Sequence, residues 1–100
     1  MSFYSEVLNL CKRIPRGKVC TYKAIAEALG CKAYRAVGAA LRKNDKPVVI
    51  PCHRVVKSDG SVGNYAGSKD NSRKIELLRK EGVKVVDGKV DKRYWVYFKR

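Results

Sequence analysis

Among the residues able to do chemistry, the densest group is Pro51-Cys52-His53-Arg54, entered by Val48-Val49-Ile50 and left by Val55-Val56. Pro51 fixes its own φ and drives Ile50 out of the α region, so the run enters a constrained corner as extended chain. A thiol attacks as its thiolate, a form favoured by a nearby imidazole or cation, and His53 and Arg54 supply one of each. Successive side chains of an extended backbone point to opposite faces, so Cys52 and His53 can cooperate only through a bend or a bridging water. The competing reading makes Cys52 a buried small hydrophobe and His53 a satisfied loop residue.

The other three cysteines, Cys11, Cys20 and Cys31, form no Cys-x-x-Cys or zinc-ribbon spacing with Cys52 or with each other. A metal site is therefore not expected, and in a reducing compartment these three read as inert core or surface thiols. Lys and Arg number 23 against nine acids in 100 residues, a formal charge of +14. Self-repulsion of that size calls for an anionic partner, with nucleic acid the leading candidate and a merely solvated basic surface the alternative. The hydrophobic fraction of 45% is that of a folded chain and excludes a disordered basic tail. One domain is expected. With no apolar run near ~18 residues and no leader-like start, neither a membrane span nor a signal peptide is read, and the expected location is intracellular, cytoplasm or nucleoid in a prokaryote.

The elements that must position the corner emerge from periodicity. Phe3, Tyr4, Val7, Leu8, Leu10, Cys11 and Ile14 lie on one stripe of a helix that Pro15 and Gly17 end. Thr21 is placed to cap a helix from Tyr22 to Leu29, stopped at Gly30. Ala33, Val37, Ala40 and Leu41 then mark the inward stripe of a helix running to about Lys43, and the pair reads as a helix-turn-helix. The outer face of that second helix carries Arg35, Gly38, Ala39 and Arg42. Major-groove readers need long polar side chains, whereas a smooth, small face suits close approach to a minor groove, or else packing on another helix. Beyond the corner, Asp59-Gly60 predicts a hairpin or wing between 55 and 63, and Asn64 to Ser68 a small-residue loop that admits a substrate near the backbone. Asp70 to Glu81 reads as a helix with Ile75, Leu77 and Leu78 inward and Gly82 at its end. Asp87-Gly88 predicts a second hairpin, with Val83, Val85 and Val86 leading in and Val90, Tyr94, Val96 and Phe98 leading out, and with Trp95 on the opposite face as cover over a core edge. The fold class is thus mostly α with small β, a winged helix-turn-helix with a C-terminal hairpin.

Taken together, Gly17-Lys18-Val19, Thr21-Tyr22, Arg35-Ala36-Val37-Gly38, Asn44, Pro51-Cys52-His53-Arg54-Val55, Gly63-Asn64-Tyr65 with Gly67, and Leu77-Leu78 followed by Glu81-Gly82 resemble the C-terminal, DNA-binding and active-site domain of O6-alkylguanine-DNA alkyltransferases. The resemblance covers about Phe3 to Gly82. It implies minor-groove binding, flipping of the nucleotide and irreversible transfer of an alkyl group from guanine O6, with O4-alkylthymine a candidate second substrate. In that comparison Cys52 matches the alkyl acceptor, His53 the base that deprotonates it through water, and Glu81 the carboxylate holding the imidazole. Tyr22 matches the tyrosine that meets the phosphate and donates to the purine, Arg35 the finger replacing the flipped base, and Asn44 the brace of the active-site turn. Val55 supplies a carbonyl and Tyr65 a wall of the guanine pocket, with Gly63, Asn64 and Gly67 around them. The DNA-binding set is Arg35, Tyr22, Gly38, Ala39 and Arg42, with Ala33 at the helix start. The family's N-terminal domain is expected to be absent, and residues 83 to 100 match the better-known members poorly.

The chemistry implied is attack of a thiolate on the ether-like carbon, with guanine as leaving group and Tyr22 as phenolic proton donor. Nothing regenerates the thioether, so each chain acts once, as a monomer on double-stranded DNA, without a cofactor. Two other classes compete. A binding module would recognise alkylated guanine and recruit other repair factors, as alkyltransferase-like proteins do with tryptophan in place of the cysteine, and Cys52 speaks against it. An architectural winged-helix protein would leave Pro51-Cys52-His53-Arg54 without a role.

Overall fold

The computed structural model of the chain describes residues 2–43, 50–63 and 71–98. Helix α1, Phe3–Lys12, begins where the Ser2 side chain accepts from the Ser5 amide and buries Val7, Leu8 and Cys11. Thr21 caps α2, Tyr22–Ala28, its hydroxyl accepting from the Ala24 amide at 3.0 Å. Helix α3, Tyr34–Arg42, packs Val37, Ala40 and Leu41 against α1 and α2. Ala33 is exposed ahead of α3 and so does not belong to the inward stripe. Helix α4, Ser72–Lys80, turns Lys74, Leu77 and Leu78 inward, with Ile75 half-buried.

Two short strands, β1 at Cys20–Thr21 and β2 at Val55–Val56, pair in parallel with Cys20 opposite Val55 and Thr21 opposite Val56. Period-two alternation makes them a partition. Cys20 and Val55 face a core with α1, α2 and α3, while Val19 and Val56 face a second core with Val62, Leu78, Val83, Val85 and Val90. The expected wing keeps its turn, but its first strand pairs elsewhere. The Asp59-Gly60 turn does form, with Gly60 at φ +88° and the Lys57 amide bonded to the Ser61 carbonyl at 2.9 Å. Val55 and Val56, however, are recruited by the chain before α2, and Ser61 bridges to Lys89.

The second hairpin consists of β3, Val85–Val86, and β4, Lys89–Val90, around Asp87 and Gly88 at φ 53° and 72°. Positive φ at both central residues fits the twist of a two-residue hairpin. Its outgoing strand ends sooner than the alternation predicts. The Asp91 carboxylate accepts from the Arg93 amide and starts a 3₁₀ turn, Lys92–Tyr94, after which the chain runs alongside Val19. Tyr94 consequently packs with Trp95 on the second core, while Val96 and Phe98 pack on the first. Trp95 covers the core edge as expected and donates its indole N–H to the Val90 carbonyl at 3.3 Å.

Candidate active site

Pro51 leads into a single 3₁₀ turn, Cys52–Arg54, in which the Arg54 amide bonds to the Pro51 carbonyl at 2.9 Å. The corner is thus a bend and not extended chain. Cys52 is 8% exposed and His53 is fully buried, against the C-terminal end of α4. There Nε2 of His53 lies 3.1 Å from Oε2 of Glu81. With Glu81 ionised, Nε2 carries the proton and Nδ1 is left basic; Nδ1 meets no hydrogen-bond partner among the described residues. Burial holds the His53 pKa below the usual 6.5, against the opposing pull of Glu81, so the imidazole is neutral at pH 7.

Glu81 is held by a residue to which sequence reasoning assigned only a general cationic role. Arg54 donates through Nε to Oε1 at 2.9 Å and through Nη2 to Oε2 at 2.7 Å, while its Nη1 donates to the Ile14 carbonyl at 2.8 Å. Burial pushes the Glu81 carboxyl up, but the bonds from Arg54 and His53 outweigh it and the net shift is downward. The Ile14 to Gly17 turn is thereby docked on α4. Gly17 sits at φ +86°, and a Cβ there would lie 3.3 Å from the Glu81 carbonyl, so close approach and positive φ both favour glycine.

Lys74 is the second missed residue. Its side chain is 1% exposed and Nζ donates to the Val55 carbonyl at 2.7 Å, with the Tyr22 ring centroid 6.0 Å away. Desolvation lowers its pKa from 10.5 to about 8, against the pull of any charge on Cys52. The signal was present in the sequence: Lys74 precedes Leu77, Leu78 and Glu81 by three, four and seven positions, on the inward stripe of α4. Tyr22, half-buried at the start of α2, has its phenol pKa raised by burial and then by the proximity of Cys52 and Cys11, and stays protonated.

The structure thus brings Cys52, His53, Glu81, Val55 and Tyr22 into one neighbourhood. Gly63 is tied to α4 by the Asn71 side chain, whose Nδ2 donates to its carbonyl at 3.1 Å. Arg35 and Arg42 are exposed on α3 and Gly38 and Ala39 half-exposed, on the side away from the core. Asn44, Asn64, Tyr65 and Gly67 lie outside the described residues. Cys11 and Cys20 are buried, with burial pushing both thiols up to about 12.

A family model for the DNA-binding domain of 6-O-methylguanine DNA methyltransferase matches residues 2–83. A bifunctional methyltransferase/endonuclease of Picrophilus torridus is 43% identical over 94% of this chain, and the methylated-DNA--protein-cysteine methyltransferase of Rattus norvegicus is 45% identical over 82% of it. The chain spans 32% and 40% of those two relatives. Among solved structures, S. pombe Atl1 in complex with damaged DNA containing O6-carboxymethylguanine superposes with a TM-score of 0.83 at 30% identity, covering 98% of this chain and 95% of that one. Mycobacterium tuberculosis OGT in complex with DNA gives 0.75 at 34% identity, covering 81% of this chain and 50% of that one.

Proposed function

Because the chain belongs to the 6-O-methylguanine DNA methyltransferase family, through that family's DNA-binding domain, we propose that it repairs DNA by moving the alkyl group of O6-alkylguanine onto Cys52. The observation that carries this reading is the buried His53 imidazole, next in the chain to the buried Cys52 and facing a carboxylate that Arg54 clamps. His53 accepts the thiol proton at Nδ1 through water. The sulfur attacks the alkyl carbon, a C–S bond forms and the C–O bond breaks, and its electron pair passes to guanine. Tyr22 donates the proton that the leaving purine needs and is reprotonated by the one taken from sulfur. A thioether has no route back to the thiol, so each chain reacts once.

On the DNA side, α3 enters the minor groove by its small face and Arg35 fills the space left by the flipped nucleotide. The Val55 carbonyl and Gly63 line the pocket. The folded unit acts as one domain and as a monomer.

A second reading is favoured by one finding: Atl1 is similar along nearly its whole length, not merely over one domain. On that reading the chain binds alkylated DNA and hands it to other repair proteins. Incubation with duplex DNA containing O6-methylguanine, followed by mass spectrometry of the peptides, separates the two. The transferase reading expects one methyl per chain on the peptide carrying Cys52. Tight binding with an unmodified Cys52, or methyl on Cys11, Cys20 or Cys31, would overturn it.

A further inference from the structure

The described surface exposes few large apolar side chains, and two of them, Tyr34 at 40% and Tyr97 at 67%, line the same open groove of about 740 Å³. Lys23 and Lys32 border it, with Cys31 between the helices and Glu27 the one acidic side chain among the described residues of the lining. One wall is α2 and the turn before α3. The other is the chain beyond Tyr94, outside the family match at 2–83.

That second wall is anchored. The Val19 amide donates to the Tyr94 carbonyl and the Val96 amide to the Val19 carbonyl, each at 2.8 Å, and the Arg13 guanidinium stacks 5.4 Å over the Phe98 ring. Tyr97 is therefore presented outward by a fixed backbone, so its exposure is set by the fold. The groove is also continuous with α3. Tyr34 is its first residue and lies one turn before Gly38, on the outward side that carries Arg35, Ala39 and Arg42.

We propose that this groove takes the sugar-phosphate backbone of the duplex flanking the lesion, with Lys23 and Lys32 on phosphates and the Tyr34 and Tyr97 rings against the sugars. The C-terminal segment thus becomes part of the DNA-binding surface. The inference rests on reading α3 as the DNA helix. Two ammonium groups against one carboxylate give the groove a net positive lining, and tyrosine adds a hydroxyl able to donate to phosphate together with apolar area. Contacts to phosphate and sugar carry no sequence information, so its contribution is to affinity and register.

Cys31 provides a reporter. It is half-buried, whereas Cys11 and Cys20 are buried, so in Cys52→Ala it is the thiol open to a maleimide. Undamaged duplex DNA is expected to slow Cys31 modification. Lys23→Gln with Lys32→Gln should reduce the slope of log K against log salt by about 1.8, at about 0.9 for each phosphate no longer neutralised. Tyr97→Ala should weaken duplex binding about fivefold, near 1 kcal/mol. Arg42→Gln, on α3 itself, serves as the control. If it weakens binding while Cys31 stays unprotected, or while the groove variants keep the wild-type slope and affinity, the groove is not a DNA surface. If neither Arg42→Gln nor the groove variants alter binding, the reading of α3 fails and the groove proposal falls with it.

Discussion

Arg54 and Glu81 meet as a fork on a carboxylate, Nε on Oε1 and Nη2 on Oε2, and the second of those oxygens is also the one that faces His53. The side chains are 14% and 6% exposed, so the pair is held in low dielectric. Arg54 in effect decides which oxygen the imidazole sees and keeps it ionised.

Lysine can reach one oxygen but cannot reproduce the fork. Arg54→Lys is therefore expected to lower stability by about 2 kcal/mol, a typical value for lost hydrogen bonds to a charged group, and to slow transfer while leaving DNA affinity unchanged. Urea unfolding and single-turnover transfer measure the two effects. Wild-type values in both would show that the clamp is dispensable.

His53→Ala and Glu81→Gln should each slow transfer on the order of 10²-fold, the usual worth of positioned acid-base groups. With the imidazole pKa held below 6.5, the wild-type rate should stay level near pH 7 and fall only on acidification beneath that value. Its midpoint belongs to the coupled His53 and Glu81 pair. Stability should fall in the same direction. A depressed His53 takes up its proton more readily when unfolded, and a depressed Glu81 carboxyl loses its advantage below its usual 4.5. A Glu81→Gln protein that reacts like wild type from pH 5 to 9 would reduce Glu81 to a structural acid.

Extruding a nucleotide costs a few kcal/mol, which a side chain inserted in the stack offsets in part. Arg35→Ala is accordingly expected to slow transfer from duplex DNA far more than reaction with free O6-benzylguanine. Equal slowing on both substrates would remove Arg35 from the flipping step.

The buried Lys74 leads to a stability prediction with an unusual sign. Below about 8 it is charged in both states and the folded protein bears the cost of burying that charge; well above 10.5 it is neutral in both and the cost is gone. Its contribution therefore rises with pH across that window. Cys11 and Cys20 work the other way from pH 9 upward, since their thiols keep protons in the fold that they lose when unfolded. Comparing wild type with Lys74→Met cancels the Cys20 effect and leaves, of the Cys11 effect, only its coupling to Lys74. The stability difference should shift toward wild type between pH 8 and 10.5, and a difference that stays flat would contradict the burial argument.

The helices and the corner were legible in the sequence because each signal is local: Thr21 caps one helix, Gly30 and Gly82 end others, and Pro51 constrains the backbone on either side of it. Glu81 was within reach only through family resemblance, since nothing in spacing alone joins it to His53 28 positions earlier. The strand pairing was misread. Val55 and Val56 have the composition of a hairpin arm, but composition does not name a partner, and the buried chain at Cys20–Thr21 competes successfully for them. Lys74 escaped because a lysine is presumed to be solvated unless its place on the apolar stripe is weighed as heavily as its charge.

The backbone bonds around Val19 bear on where this domain could be cut. Val19 is fully buried, and its amide and carbonyl are both answered from the far end of the chain, by Tyr94 and Val96. Two further bonds, from Val62 to Gly88 and from Val90 to Gly60, cross the same divide. A protein ending at Val83, where the family match stops, would leave these groups unanswered, at about 1–3 kcal/mol for each one still buried. The boundary drawn by sequence kinship and the boundary of cooperative folding are therefore expected to differ, with the segment from Gly88 to Val96 unfolding together with the rest and resisting proteolysis until it does.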